Sequence, residues 1–272
     1  ILKMEPALNP DVKYALYCAG AGVCSPYEFA VALAENALEN GAELKLNSKV
    51  TDIVKHDDYN YMVIYDEISG DKVIKREINT RYVINAAGLS GDRISEMINE
   101  KYFTIKPRKG EYVLFARDTG SILNNVIFQT PSKLGKGVLV TSTYHGNLLI
   151  GPDAQNDSDR ENTGTDMESL EQILKRARHV TEEFDMKTFI RTFSGIRAVA
   201  DTGDFIIEET KSKGFINIAG IQSPGLTSSP AVAEMVIEII RNSGFELKEK
   251  ENFNPYRKPL IRRKTKADML SA

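Results

Sequence analysis

The residues of this sequence best suited to chemistry are small ones at strand ends, joined by one arginine and a few polar side chains in β-prone runs. Tyr82-Val83-Ile84-Asn85-Ala86-Ala87-Gly88 carries an apolar strand into three small residues, where bare backbone can approach a flat or pyrophosphate ligand without a side chain intervening. Ile216 to Thr227 repeats the pattern and opens onto a helix, whose first N–H groups and dipole favour negative charge. Taken singly, each junction is also what ordinary packing produces. Together they reinforce one another, because ligands of α/β sheets gather at the carboxyl ends of strands. Gly225 follows Pro224 and precedes Leu226-Thr227, which predicts a proline-led turn with positive φ at the glycine. Arg197 ends the β-prone run from Phe193; its guanidinium fork suits a carboxylate or phosphate, and the competing reading is a surface ion pair. Pro107 to Glu111 is a basic loop before a strand, read as solvated, with Lys109 near a ligand as the minority alternative. His145 has the near-neutral pKa of a proton acceptor, and also the look of a polar turn residue. Gly20-Ala21-Gly22-Val23-Cys24-Ser25 nearly matches a dinucleotide fingerprint, yet it lacks the third glycine and the βαβ setting. It reads as a helix-entry loop.

Those residues need elements to hold them. Ser25, Pro26 and Glu28 form a capping signature for a helix running to Gly41. Short β runs are predicted at Glu43 to Leu46, Lys49 to His56 and Tyr59 to Tyr65, and Ser69-Gly70-Asp71 turns the chain into Lys72 to Ile78. Tyr82 to Ile84 reads as a buried parallel strand, followed by a short helix carrying Ile94, Met97 and Ile98. Residues 102 to 151 read as antiparallel β, with strands at Gly110 to Phe115, Asn125 to Phe128, Val138 to Val140 and Asn147 to Ile150. A polar loop, Asp153 to Gly164, precedes an amphipathic helix from Met167 to Val180. Strands follow at Thr188 to Val199, Asp204 to Glu208 and Phe215 to Ile218. A final helix begins near Ser229, with Pro230 in its first turn and Val232, Met235, Val236, Ile239 and Ile240 on one face.

Composition narrows the function classes. The 272 residues are 42% hydrophobic and 27% charged, with 35 basic residues against 38 acidic, a formal charge of −3. This is a globular composition, and it lacks the basic excess that a nucleic-acid partner would require. No apolar run approaches the roughly 18 residues of a membrane span. Cys18 and Cys24 fit neither a metal cage nor a disulfide framework, so no metal is expected and a reducing cytoplasm is the default. The chain opens on Ile1-Leu2-Lys3 and closes in Arg262-Arg263-Lys264-Thr265-Lys266, which reads as a segment of a longer protein.

Two segments, YVINAAGLSGDR (82–93) and GIQSPGLTSSP (220–230), resemble the FAD-dependent oxidoreductases of the D-amino-acid-oxidase superfamily. EPALNPDV (5–12), PRKGEY (107–112), LIGPDA (149–154) and FSGIRAVADTGDFIIE (193–208) resemble its glycerol-3-phosphate dehydrogenase-like branch of bacterial anaerobic type. The similarity extends from residue 1 to about 260. The family's N-terminal GxGxxG unit for the ADP part of FAD has no counterpart here, nor do the cysteines of that branch's C-terminal domain. The resemblance implies an α+β fold of the α/β flavoprotein type. Residues 1–100 and 200–250 would belong to an incomplete FAD-binding domain, 101–199 would form an antiparallel substrate or cap domain, and 251–272 would lead to a missing C-terminal domain.

It also implies roles. Val50 would lie on the adenosine side, and Ala86, Ala87 and Gly88 along the FAD backbone. Gly220, Ile221, Ser223, Pro224, Gly225, Leu226 and Thr227 would cover the isoalloxazine ring, with the helix from about Ser229 aimed at its N1–C2 edge. Arg197 would hold the anionic group of a small hydroxy substrate, with Tyr112 and His145 facing the same cavity. Ser223 stands where amine oxidases of the superfamily carry bulkier residues, which favours a hydroxy compound. The expected reaction of the parent protein is oxidation of sn-glycerol 3-phosphate by hydride transfer to FAD, in the cytoplasm with peripheral membrane association open. The alternatives are a 2-hydroxyglutarate-like 2-hydroxyacid and a non-catalytic segment of an electron-transfer complex. Weak or absent FAD binding is expected of the segment alone. The electron acceptor is not indicated.

Overall fold

The computed structural model describes residues 1–130 and 137–259; the basic run at 262–266 and the end of the expected tail lie outside them. Local signals set the first elements. Helix α1 (Pro26–Glu39) begins where the Ser25 hydroxyl accepts the Glu28 N–H at 3.3 Å, relieving one orphan donor of the first turn. Strands β1 (Ser48–Asp57), β2 (Asn60–Ser69) and β3 (Lys72–Thr80) form an antiparallel meander. Its turns use Tyr59 and Gly70 at positive φ. The run Glu43 to Leu46 is not a strand: Leu44 and Leu46 are exposed and no described strand pairs with it. Alternation without a neighbouring ladder leaves backbone groups to water, and the strand does not form.

Strand β4 (Val83–Asn85) pairs parallel with β11 (Phe215–Ala219), and β10 (Ile206–Glu209) pairs antiparallel with β11 on its other edge. Helix α2 (Gly91–Met97) packs on β11, and α4 (Gly225–Asn242) follows it. Gly91 makes the first contact possible, since a Cβ there would already touch Ala219 Cβ at 3.4 Å. Helix α4 starts about four residues earlier than the sequence reading, which placed its entry at Ser229. Pro230 is therefore inside it and cannot donate to the Leu226 carbonyl. The Ser229 hydroxyl donates to that carbonyl instead, at 2.8 Å.

The third sheet is the largest, ordered β6 (Leu139–Ser142), β7 (Asn147–Gly151), β5 (Ile105–Arg117) and β8 (Gln155–Asn156), with β9 (Phe189–Ala200) on the other edge of β5. One face buries Val113, Phe115, Val140, Leu148 and Ile150 against helix α3 (Met167–Ala177) through Ile173 and Ala177. Asn125 to Phe128 contributes only one bridge, Ile127 to Val140, rather than a strand. Its backbone and side chains are engaged elsewhere: the Asn124 N–H and the Asn125 amide donate to the buried Glu5 carboxylate. Residues 1 to 12 correspondingly pack with this sheet, not with residues 25–100 as expected, because Ala7 and Leu8 enter its core and the Asn9 N–H donates to the Val180 carbonyl at 2.7 Å.

Candidate functional site

The two small-residue junctions emerge side by side, because parallel pairing of β4 with β11 puts both carboxyl ends at one edge. Each strand carries a buried asparagine, and the two asparagines brace the edge. The Asn85 amide donates to Asn217 Oδ1 and to the Gly91 carbonyl, both at 2.8 Å, while the Ala87 N–H donates to Asn85 Oδ1 at 3.3 Å. Ser95 donates to Asn217 Oδ1 at 2.8 Å, and Asn217 donates to the Tyr102 hydroxyl at 3.2 Å. The paired amides satisfy each other and hold the loop above them. The sequence reading missed them, although an asparagine inside each of two apolar strand runs was the visible signal.

Above that network Ala86, Ala87 and Gly88 are exposed, Gly88 lies at φ +54, and nothing stands within 4 Å of where its Cβ would be. Across from them Gly220 sits at φ +66, where a Cβ would lie 2.7 Å from Ala200 Cβ. Gly225 does not have the expected positive φ; it is the first residue of α4, and it is small because a Cβ would come within 2.5 Å of Ile221 Cγ2. Ser223, Pro224, Leu226 and Thr227 are exposed and Ile221 half-buried. No side chain caps α4, so its leading N–H groups point out of the helix end. Open backbone on one loop and an uncapped helix start on the other fit a flat cofactor with anionic edges such as FAD. Val50 is partly buried and packs against the cluster of Ile53, Tyr61, Ile98 and Phe215.

The larger sheet supplies the other half. Cross-strand register puts Arg108 opposite Arg197, Gly110 opposite Gly195 and Tyr112 opposite Phe193. Side chains two apart share a face, so two arginines and an aromatic pair flank a floor of two glycines. The Tyr112 and Phe193 rings stack at 5.0 Å and 10°. A Cβ on Gly195 would meet nothing within 4 Å, so the floor is open on that strand; on Gly110 it would meet Pro152 Cβ at 2.9 Å, Arg197 Nη2 at 3.0 Å and the Asp153 carbonyl at 3.1 Å, so there it is covered. Burial raises the Tyr112 pKa and the neighbouring Arg197 only partly offsets this, so the phenol stays a neutral donor. Lys109 points to the opposite face, buried against Glu111 Oε1 at 3.0 Å and donating to the Gly164 carbonyl at 3.1 Å. It is a structural ion pair, not a solvated loop residue.

His145 is not part of this group. It occupies the β6–β7 turn, where its carbonyl accepts from Arg117 Nε at 2.9 Å, at the opposite end of β5 from Arg108. Arg197 and Tyr112 are brought together; His145 is left at the far end.

The small-residue edge packs against the end of β9, on the face of Ala198 and Ala200 rather than that of Gly195 and Arg197. Leu89, just after Gly88, packs on Ala198 and Ala200, and Gly220 abuts Ala200. A polar loop starts on the large sheet: Asp153 Oδ1 accepts the Glu111 N–H at 2.7 Å while the Asp153 carbonyl accepts Arg197 Nη2 at 3.4 Å. Further along, Arg160 reaches Asp92 through Nη1 to Oδ1 at 2.6 Å and Nη2 to Oδ2 at 2.7 Å. Burial pushes the Asp92 carboxyl up, but hydrogen bonds from Arg160 and the Ile105 N–H more than offset it, leaving it below the usual carboxylate range.

Comparison with known proteins gives the family. A glycerol 3-phosphate dehydrogenase from Caloramator mitchellensis is 45% identical over 261 residues, covering 96% of this chain and 52% of that protein. A glycerol 3-phosphate oxidase from Mycoplasma genitalium is 32% identical over 257 residues, covering 93% and 65%. The chain thus spans roughly half to two thirds of the length of these relatives. Among solved structures, dithionite-reduced L-alpha-glycerophosphate oxidase from Mycoplasma pneumoniae with FAD bound superposes with a TM-score of 0.81 at 27% identity, over 96% of this chain and 67% of that one. The family profile described as "DAO: FAD dependent oxidoreductase" matches residues 1–239; the chain belongs to this family of FAD-dependent oxidoreductases.

Proposed function

We propose that the protein to which this chain belongs oxidises sn-glycerol 3-phosphate to dihydroxyacetone phosphate. The observation that carries this reading is the bare backbone at Gly195 between Arg197 and the Tyr112–Phe193 pair, on the strand whose end packs against the Leu89 and Gly220 turns. FAD, when bound along Ala86 to Gly88 and Gly220 to Thr227, supplies the hydride acceptor. Arg197 binds the phosphate, for which a guanidinium fork is suited. Gly195 lets the short carbon chain lie against bare backbone, and Tyr112 offers a neutral O–H to a substrate oxygen. The names of the relatives support glycerol 3-phosphate as the substrate. His145 is not proposed as proton acceptor, given its place at the far end of β5.

The test is anaerobic mixing of the full-length protein with glycerol 3-phosphate or L-2-hydroxyglutarate. Bleaching of the flavin band by the first and not the second is expected. Arg197→Ala should lose about 2 to 4 kcal/mol of transition-state binding, and Arg197→Lys should recover part of it. An unchanged kcat/KM in the alanine variant would remove Arg197 from the site.

A further inference from the structure

We infer that Arg160 and Asp92 form a positioning clamp that fixes the Ala86–Gly88 loop for cofactor binding against the substrate-side sheet. The inference rests on the flavin-side reading above but not on the identity of the substrate. Arg160 lies in the polar loop between β8 and α3, remote in sequence from the segment it grips. Besides the two carboxylate contacts, Nη1 donates to the Leu89 carbonyl at 2.6 Å and Nη2 to the Ile105 carbonyl at 3.0 Å. One guanidinium therefore ties together the turn after Gly88, the start of α2 and the start of β5. Asp92 is buried and doubly engaged, its Oδ2 also accepting the Ile105 N–H at 3.0 Å. A planar fork satisfies two carboxylate oxygens and two carbonyls at once, which an ammonium cannot.

The loop presenting Arg160 is itself braced. Asp157 Oδ1 accepts the Asp159 N–H, Asp159 Oδ1 accepts the Glu161 N–H, and Asn162 donates to Asp157 Oδ2 at 2.8 Å. Its two ends are anchored to β5, through the Asp157 N–H to the Pro107 carbonyl and through Lys109 to the Gly164 carbonyl. A rigid arm rooted on the strand that carries Arg108 and Tyr112 thus holds the loop offered to the cofactor. Such an arm sets the distance between the two halves of the site, and misplacement of that kind is costly to both binding and rate.

The experiment uses the full-length protein as wild type, Arg160→Ala, Arg160→Lys and, as a destabilised control in the other core, Val140→Ala. FAD affinity is read by flavin fluorescence titration, the geometry of the bound ring by visible circular dichroism, and stability by melting. Arg160→Ala is expected to weaken FAD about tenfold or more and to change the flavin dichroism, with partial restoration by added guanidinium ion and none by sodium at equal ionic strength. Val140→Ala should melt earlier with affinity and dichroism intact. If Arg160→Ala does not fold, Arg160→Lys decides, and it should bind FAD several-fold more weakly than wild type. An arginine variant that melts earlier but binds FAD with wild-type affinity and dichroism would overturn the clamp. A wild type that binds FAD but is not reduced by glycerol 3-phosphate would instead overturn the substrate assignment, leaving the clamp to be judged on FAD affinity.

Discussion

At the scale of the residue, the glycine floor separates a structural role from a functional one unusually well. Gly195 faces open space and has no positive φ, so neither packing nor backbone strain requires glycine there. In a strand, glycine is otherwise a poor choice, since it brings no side chain to pack and loses more chain entropy on folding. A ligand lying on the sheet supplies the missing reason. Gly195→Ala should therefore leave the melting temperature within the range of a surface substitution, about 0.5 kcal/mol. Gly195→Val should raise KM for the substrate about tenfold or more, as extra methyl groups do in a fitted pocket. Both are read by pairing a melting curve with steady-state kinetics on the full-length protein. A valine variant with wild-type KM would show that the substrate does not rest on this floor. Arg197 is the contrasting case. Its type alone admitted a surface ion pair, and only the cross-strand register, with Arg108 opposite and Tyr112 nearby, puts it on one sheet face with Gly195 and Phe193.

At the scale of the element, what could be read from sequence was what local interactions decide. Helix α1 was legible because Ser25, Pro26 and Glu28 act within one turn. The meander was legible because its turn residues and alternation lie within thirty-odd positions of chain. The two strand-to-loop junctions were legible too, since small residues after an apolar run need no partner to be recognised. What escaped depended on distant contacts. Asn125 to Phe128 has the composition of a strand but is claimed by Glu5, and Arg160 finds Asp92 across the fold. Even α4 was misplaced at its start, because a proline normally marks the first turn of a helix and only the Ser229 hydroxyl shows how Pro230 is accommodated further in. Ser229→Ala would leave the Leu226 carbonyl without that donor, and the loss should be about 1 kcal/mol. The change should fray the end of α4 that faces the cofactor edge. Amide exchange would show it as faster labelling at Ser228, Ser229 and Ala231 with the C-terminal half of α4 unaffected; equal protection in both proteins would mean that water serves the carbonyl as well as Ser229 does.

At the scale of the whole molecule, the two halves are joined by the apolar cluster of Leu89, Ile105, Ala198, Ala200, Ile206 and Ala219 and by the polar connection from Arg160 to Asp92, and acid acts on the second. No helix among the described residues is long and apolar enough to cross a membrane. Asp92 has a pKa in the folded state below its ordinary value of 3.8. A carboxylate depressed in this way contributes stability in full above the unfolded value and loses it as pH falls through the folded one. Asp157 and Asp166 are also held below the carboxylate range by local hydrogen bonds, and Asp58 by its hydrogen bond from Lys55. Their contributions fade over the same acid window in any variant that retains them. The difference between wild type and Asp92→Asn removes that shared part. At neutral pH the variant should be clearly less stable, because the Arg160 guanidinium then sits half-buried without its counter-charge. Below about pH 4 the gap should begin to narrow, because the unfolded chain takes up its proton first, and it should close as pH falls through the lower folded value, where wild-type Asp92 becomes as uncharged as asparagine. Calorimetric melts from pH 7 down to pH 3 at constant ionic strength make the comparison. A gap that stays constant across that range would mean that Asp92 holds the clamp by shape rather than by charge, and the acid sensitivity of the junction would then belong to the exposed aspartates around it.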